Sequence, residues 1–394
     1  MRKSTPLWIL ALDAFVSLLI AVAAVDAGNS EGISIDCGVT HASCDENGFC
    51  YEADDGNVVE SGQIYNVSSQ DTLTSKYEQV WQQINTLRSF PEGKRNCYTI
   101  EPKQGRNNYL VRAYFLYGNY DNKSFVPRFE LHLGVNFWRK LGEDMDIDTI
   151  LRSEVIHVSP TDNINVCLIN TGFGIPFLSL LEIWPLYNNA VYRTTSNLLP
   201  LRLRTRSALG KSIENYSFIR YPNDIYGRSW FLGRVIQNSE PMNTSVAIDG
   251  DNSDYKLPKE VLSTAIRSGN GSSSLVIPLN YSRGYDYYVC LHFYDFEDHS
   301  RQRSMEITFT DTIRENITLQ HGVLKTVVTT IPRGEYLNNI SITSILDSGL
   351  PPMINALEVY EVLLQPNSPT LERDGKYYVF SDLIILLLLI TLDS

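Results

Sequence analysis

Tyr109-Leu-Val-Arg-Ala-Tyr-Phe-Leu-Tyr117 is the stretch that decides the fold, because the chain returns to it as Tyr287-Tyr-Val-Cys-Leu-His-Phe-Tyr-Asp295. A second stretch behaves in the same way: Pro176-Phe-Leu-Ser-Leu-Leu-Glu-Ile183 returns as Pro352-Met-Ile-Asn-Ala-Leu-Glu-Val359. Both pairs share an offset of roughly 176 to 178 residues, which is the length of a whole domain. The sequence therefore predicts two copies of one domain in tandem.

Apolar and polar residues alternate around these stretches, as they do in β-strands. In the segment 128–136, Leu131 and Leu133 fall on one face, and Glu130 and His132 fall on the other. The second copy keeps the same parity. Such alternation gives each strand one core face and one wetter face, which is typical of an antiparallel sandwich.

The predicted fold class is therefore all-β: two tandem antiparallel β-sandwich domains with few short helices, for which Gln79–Leu87 and Leu257–Arg267 are candidates. A parallel α/β fold would need helices between most strands, and this pattern is missing. We place the first domain at residues 31–187, a polar linker at 188–200 and the second domain at 201–364.

Residues 1–27 are predicted to be a secretory signal peptide. Arg2 and Lys3 precede an apolar run that Asp13 interrupts, and small residues follow at a cleavage position. An N-terminal membrane anchor is the alternative, although the run is short and carries a charge.

Residues 365–394 form a polar tether followed by an apolar tail, whose core is Leu383–Leu392. Three interpretations stay open. The tail could belong to a truncated gene product, attach the chain to a membrane as a helix or a lipid-anchor signal, or pack on the second domain.

Cysteines and glycosylation sequons agree with export from the cell. Six cysteines follow the signal, and an even count in an oxidising compartment suggests disulfides among Cys44, Cys50, Cys97 and Cys167. Cys97 and Cys167 could equally be buried without a bridge, and Cys290 could be a free core thiol. The predicted glycosylation sites are the eight Asn-x-Ser/Thr sequons at Asn66, Asn122, Asn215, Asn243, Asn270, Asn280, Asn316 and Asn339.

The charge balance narrows the range of partners. The chain has 45 acidic and 33 basic residues, and its formal net charge of −12 disfavours nucleic acid and anionic membrane surfaces. Neutral polymers such as polysaccharides stay compatible with this charge. The spacing of the histidines and cysteines does not match a zinc-site pattern, so we predict no metal and no cofactor.

Several longer motifs resemble the malectin-like extracellular region of plant leucine-rich-repeat receptor-like kinases. The motifs that carry the resemblance are Ser34–Gly38, Thr86–Thr99, Tyr109–Asp121, Leu131–Asn136, Val166–Gly174 and Arg220–Trp230. The resemblance covers about residues 33–364. It implies two malectin-like β-sandwich modules outside the cell, of a kind that senses cell-wall carbohydrate or binds secreted peptides and co-receptors.

The sequence departs from that family in two ways. These 394 residues contain none of the Gly-x-Gly-x-x-Gly, His-Arg-Asp and Asp-Phe-Gly motifs of a kinase, and no leucine-rich repeat follows the second domain. The nearby pair Cys44 and Cys50 is also unusual for the family. Any ligand contact carried over to Tyr51, Asp54 and Asp55 is therefore less secure.

Sugar binding needs aromatic faces and planar polar groups in a shallow cleft. If the strand-like segments 109–117 and 128–136 of the first domain pair, their wetter faces bring Arg112, Tyr114, Glu130 and His132 side by side. The candidate ligand-binding residues are Tyr51, Asp54, Asp55, Arg112, Tyr114, Glu130, His132, Tyr221, Asp224, Tyr226, Trp230 and Tyr294. Packing or solvated surface is the competing interpretation for each, and Arg220 with Asp224 could instead form a structural ion pair.

We expect no enzymatic activity. The acidic pairs Asp54–Asp55 and Asp295–Glu297 could be imagined in a glycosidase, but neighbours in sequence do not by themselves face each other across a sugar. The leading hypothesis is an extracellular binding module for a carbohydrate or a peptide, with a co-receptor protein as a further partner. The alternatives are a fragment of a membrane receptor kinase and a carbohydrate-active enzyme.

Overall fold

The fold comes from a computed structural model of the chain. It describes residues 32–44, 49–67, 83–103, 107–159, 161–186, 191–193, 199–210, 218–232, 234–246, 248, 253–269, 272–345 and 349–363. The predicted signal peptide and the predicted tail lie outside the described residues, as does most of the predicted linker.

Strands dominate both halves of the chain. The first module, as the term is used below, comprises Ile33–Asp36 (β1), Ser43–Cys44 (β2), Cys50–Ala53 (β3), Gln63–Asn66 (β4), Thr86–Ser89 (β5), Arg95–Ile100 (β6), Asn108–Phe115 (β7), Arg128–Leu133 (β8), Asn136–Leu141 (β9), Leu151–Val158 (β10), Ile164–Phe173 (β11), Phe177–Leu178 (β12) and Leu180–Leu186 (β13).

The second module repeats this order. It comprises Leu201–Ala208 (β14), Phe218–Ile219 (β15), Trp230–Leu232 (β16), Ser239–Asn243 (β17), Thr264–Ser268 (β18), Ser274–Tyr281 (β19), Asp286–Tyr294 (β20), Ser304–Thr308 (β21), Arg314–Thr318 (β22), Leu324–Ile331 (β23), Leu337–Ser344 (β24), Met353–Ile354 (β25) and Ala356–Val362 (β26).

Helices are short, as the sequence predicts. A single helical turn, Lys259–Leu262 (α1), lies within one candidate stretch, and a 3-10 helix at Gln83–Asn85 lies within the other. In the described part of the chain, no helix is long and apolar enough to cross a bilayer.

Each module is a sandwich of a large sheet and a four-stranded sheet. The four-stranded sheets have the order β6-β11-β8-β9 in the first module and β19-β24-β21-β22 in the second. Between the layers, Phe115 packs against Phe129 at a ring distance of 5.9 Å in the first module. Buried Val289, Ile307 and Ile342 belong to the core of the second. This apolar burial drives the folding of each sandwich.

The two modules share one sheet. Its main path is β2-β3-β1-β13-β7-β10-β14-β26-β20-β23, so β10 of the first module lies beside β14, the first strand of the second. Val155 of β10 pairs with Arg202 of β14, and Ile156 pairs with Leu201. The modules are therefore joined by backbone hydrogen bonds as well as by the connecting chain.

This shared sheet corrects one expectation from the sequence. The alternating pattern predicts a wetter face on every strand, but all eight residues of β7 are buried. One face of β7 contacts the first core, and the other is covered where the modules meet. The predicted alternation holds on β8, where exposed or half-buried residues alternate with buried ones.

Candidate ligand-binding site

The predicted side-by-side patch of the first module does not form. The strand of Arg112 and Tyr114, β7, pairs with β10 and β13, whereas the strand of Glu130 and His132, β8, pairs with β9 and β11. The four residues therefore lie in two different layers of the sandwich. Arg112 and Tyr114 are buried, while Glu130 and His132 are half-buried and contact each other at 3.0 Å.

The three candidates on β3 and directly after it, Tyr51, Asp54 and Asp55, differ in burial. Tyr51 and Asp54 are fully buried, and Asp55 is exposed. The Asp54 carboxylate accepts hydrogen bonds from Arg88 Nε at 2.6 Å and from Tyr98 Oη at 2.9 Å. Asp54 and Asp55 thus face different surroundings and do not form a carboxylate pair across an open space.

The predicted Arg220–Asp224 ion pair is wrong. Asp224 Oδ2 instead accepts hydrogen bonds from Arg228 Nε at 2.9 Å and from Trp230 Nε1 at 2.7 Å. Arg220 Nη2 lies 3.1 Å from Glu182 Oε1 in the first module. Both side chains therefore have structural partners, and Asp224 and Trp230 are fully buried.

The remaining aromatic candidates of the second module lie in three places. Tyr221 packs on Phe49 and Trp184 of the first module, with ring distances of 5.3 and 5.1 Å. Tyr226 is buried and donates to the carbonyl of Asp254 at 3.0 Å. Tyr294 is half-buried at the end of β20.

The contact between modules, called the junction below, contains a chain of buried charges. Glu154 lies between Arg112 and Arg206, with N···O distances of 2.7 Å to each. Arg206 continues the chain to Glu358 at 2.7 Å, and Glu358 contacts His292 at 3.1 Å. Alternating signs make this row self-compensating, which a buried charge requires.

The pKa of Glu154 shows how tightly this row is coupled. Burial raises the pKa, but the guanidinium groups of Arg206 and Arg112 outweigh the burial and hold it at about 2. The same competition, again with Arg206 as the strongest opposing charge, holds the pKa of Glu358 far below its usual range. Both carboxylates are therefore ionised at neutral pH.

A cleft of about 490 Å³ opens beside this junction. Residues from both modules line it: Arg139, Asp144, Arg152 and Glu154 from the first, and Leu203, Arg204, Thr205, Arg206, Phe218, Phe231 and Tyr281 from the second. Its volume falls within the range of small-ligand pockets, roughly 300–1,000 Å³. Its position between two modules is also a common one for ligand sites.

Arg152 differs from the other arginines of this cleft in the contacts of its guanidinium. Its guanidinium lies over the Phe218 ring at 5.4 Å, and it makes no hydrogen bond or ion pair with another described residue. Burial lowers the pKa of Arg152, and the charges of Arg112 and Arg206 lower it further, against the opposing effect of Glu154. A bound anion would relieve this unfavourable environment.

The acidic cluster of Asp295 and Glu297 already contains an arginine, Arg303. Asp295 and Glu297, imagined above as a glycosidase pair, accept hydrogen bonds from Arg303 Nε at 2.9 Å and Nη2 at 3.0 Å. His299 Nε2 also lies 3.0 Å from Glu297. The guanidinium fills the space between the two carboxylates, so this group is a structural ion cluster.

The structure contains both suggested disulfides. Cys44 is bonded to Cys50 and Cys97 to Cys167, while Cys290 is a buried free thiol. Every sequon asparagine among the described residues is exposed, as a glycan requires: Asn66, Asn122, Asn243, Asn280, Asn316 and Asn339. Asn215 and Asn270 lie outside the described residues.

The residues of the cleft were not among the sequence candidates. One signal pointed to part of it: Arg202, Arg204 and Arg206 alternate along β14, which is unusual on an apolar strand. Arg152 carried no such signal, because only the β10–β14 pairing brings it near the second module.

Comparison with known proteins identifies the family to which this architecture belongs. The family model described as the malectin-like domain matches residues 35–362. This chain belongs to the malectin-like family.

A probable leucine-rich-repeat receptor-like serine/threonine-protein kinase of Arabidopsis thaliana is 34% identical over 384 residues, which cover 92% of this chain and 42% of the relative. A second such kinase from the same plant, described as putative, is 32% identical over 385 residues, which cover 93% and 42%. The malectin-like chain thus spans about two fifths of the length of these curated relatives.

Solved ectodomains of plant receptor kinases share the fold. The ANX2 ectodomain of Arabidopsis thaliana superposes with a TM-score of 0.68 at 16% identity, covering 86% of this chain and 100% of that one. FER, in a complex with the plant peptide RALF23 and LLG2, gives a TM-score of 0.63 at 15% identity, covering 87% and 97%. The tandem malectin-like architecture therefore recurs in receptor ectodomains despite low identity.

Proposed function

We propose that this malectin-like chain is an extracellular, non-catalytic ligand-binding module that holds its ligand in the cleft between the two modules. The observation that carries the proposal is the Arg152 guanidinium, which faces the cleft without a hydrogen bond or ion pair to any described residue. Buried arginines are ordinarily paired, so a half-buried guanidinium that has no partner among the described residues, at a ligand-sized opening, supports a binding position.

The ligand class is either a cell-wall carbohydrate or a secreted peptide, and a co-receptor protein is a further partner. The peptide and co-receptor proposals draw on the FER complex, whose components are RALF23 and LLG2. The disulfides and the exposed sequons support a position outside the cell. Because the curated relatives are more than twice as long, the same module is also suited to be the ligand-binding part of a longer receptor kinase. An in-frame kinase region in the full transcript would establish that second form.

The test is a binding screen with the purified chain, using wall oligosaccharides and a library of short peptides as probes. We expect at least one class to bind, and Arg152→Met to weaken that binding about tenfold, the effect of losing one charge-assisted contact. Arg314→Met is the matched control, because Arg314 is an exposed arginine on the outer strand β22. Equal binding by wild type and Arg152→Met would contradict a ligand site in the cleft.

A further inference from the structure

Two of the three aromatic rings that line the cleft, Phe218 and Tyr281, have little open face for a sugar. The Arg152 guanidinium covers one face of Phe218 at 5.4 Å, and the Arg204 guanidinium lies over Tyr281 at 5.7 Å. Tyr281 is also stacked on Tyr287, with ring centroids 5.3 Å apart and an interplanar angle of 22°. Carbohydrate recognition relies on free ring faces that stack on the sugar, so these rings are poorly placed for that role.

The charges of the cleft leave a cationic excess. Arg206 is neutralised by Glu154 at 2.7 Å, and Arg139 is paired with Asp144. Among the described residues, the ion-pair partner of Arg204 is distant, because Glu361 lies 3.7 Å from it and is already bonded to Arg202 at 2.6 Å.

Two guanidinium groups, those of Arg152 and Arg204, are therefore available to an incoming anion. This positive cleft stands out on a protein whose formal net charge is −12. Guanidinium groups favour carboxylates in particular, because their planar fork matches the two carboxylate oxygens.

We infer that the cleft between the modules binds the carboxylate side chains of an acidic peptide segment, with Arg152 as the principal contact and Arg204 as the second. This inference rests on the proposed function, because it assigns a ligand class to the same cleft. The half-buried Phe231 adds an apolar contact for a neighbouring side chain of the peptide. A volume of about 490 Å³ accommodates a short segment rather than a folded domain.

An acidic oligosaccharide offers the same carboxylates but relies more on ring stacking. Since the guanidinium groups already cover the rings of Phe218 and Tyr281, the structure favours the peptide. The carbohydrate becomes an outcome of the test.

The experiment measures fluorescence anisotropy with the purified full chain and labelled ten-residue probes. The acidic probe is a Glu/Ala peptide, and its matched neutral probe is the corresponding Gln/Ala peptide. An oligogalacturonide and a neutral cello-oligosaccharide of similar length compete in parallel. We expect binding of the Glu/Ala peptide alone, weakening as salt concentration rises.

Variants of the two arginines locate the contact. We expect Arg152→Met to raise the Kd of the Glu/Ala peptide about tenfold or more, and Arg204→Met to raise it by a smaller factor. Arg152→Lys should recover part of the affinity, because it keeps the charge and loses the fork. Arg314→Met should leave the Kd unchanged, and thermal unfolding of each variant verifies its fold.

Three results would overturn the inference, and they differ in what they say of the proposed function. Tighter binding of the oligogalacturonide than of the peptide, lost in Arg152→Met, would keep the ligand site and replace the ligand class. Binding of the neutral probes, weakened by Phe231→Ala, would also keep the ligand site and replace the ligand class. Peptide binding that all arginine variants retain would remove both the ligand class and the site.

Discussion

Arg206 connects carboxylates from the two modules, and its removal tests how much the junction depends on one side chain. It lies 2.7 Å from Glu154 and 2.7 Å from Glu358, and all three side chains are almost fully buried. Arg206→Met leaves both carboxylates without their strongest opposing charge. We expect a loss of about 3–5 kcal/mol in the free energy of unfolding, measured by urea denaturation.

The control is Arg314→Met, which removes an exposed arginine 3.6 Å from Glu306. Such surface pairs contribute less than about 1 kcal/mol. If the two substitutions cost the same, the buried row of charges does not stabilise the junction.

His157 on β10 is a buried imidazole that hydrogen bonds to no described residue through either ring nitrogen. Burial lowers its pKa to about 4, against about 6.5 in an unfolded chain. Between these values only the unfolded state takes up a proton, so the folded state loses stability as the pH falls from 6.5 to 4.

We expect His157→Leu to remove this loss. Relative to wild type, the variant should gain about 2 kcal/mol more at pH 5 than at pH 8, measured by urea denaturation at both values. His321→Leu, at an exposed position, should show no such difference. A gain for His157→Leu that is independent of pH would contradict a neutral buried imidazole.

Residue type alone could not separate binding residues from packing residues in this chain. Arg112 and Asp224 were selected because arginine and aspartate suit ligand contacts, yet each is fully buried in an ion pair. Their partners, Glu182 and Arg228, become neighbours only through sheet pairing or a local turn. Residue type carries no information about which charges are neutralised in the folded chain, and this difference in neutralisation is what distinguishes Arg152 in the cleft.

At the scale of strands, the sequence predicted which segments form strands better than it predicted which strands pair. The period-two pattern identified β7, β8, β20 and β21 and assigned them to an antiparallel sandwich. It did not predict that β7 and β8 lie in different layers, because alternation specifies the faces of a strand and not its partner. The correct pairing follows from the chain topology, in which β7 lies between β10 and β13.

The two disulfides constrain elements over very different chain lengths. Cys97–Cys167 joins β6 to β11 across a separation of 70 residues, whereas Cys44–Cys50 spans six. In the chain-entropy model, closing the longer loop stabilises the fold by about 4 kcal/mol and closing the shorter one by about 2 kcal/mol. We expect the double variant Cys97→Ala/Cys167→Ala to lose about 2 kcal/mol more than Cys44→Ala/Cys50→Ala in urea denaturation. Equal losses would show that strand packing, and not loop closure, dominates the effect of these bonds.

At the scale of the whole molecule, the sequence predicted a duplication but not its fusion. The offset between the repeated stretches implied two modules with a connector, and the solved ectodomains share that tandem architecture. The shared sheet depends on the pairing of β10 with β14, where only two residue pairs are in register. The core of the first module also takes in Tyr288 and Tyr360 from the second. No local sequence pattern predicts a contact of this kind, because each of the two strands, taken alone, has the pattern of an ordinary strand.

Because the sheet and the buried charges cross the junction, we expect the two modules to unfold as one cooperative unit. Differential scanning calorimetry should give a single transition whose van't Hoff and calorimetric enthalpies agree.

Gly227→Val should disturb this coupling between the modules. A Cβ there would lie 2.1 Å from Trp184 Cδ2 of the first module, at a residue whose φ is +64°. We expect that variant to unfold in two separated transitions. Gly334→Val is the matched control, since it imposes the same kind of backbone strain at φ +99° with no atom within 4 Å of its Cβ, and it should lower the midpoint while keeping one transition. Two transitions in the wild-type chain would mean that the modules fold independently, and the cleft between them would then lack the fixed geometry that a preorganised binding site requires.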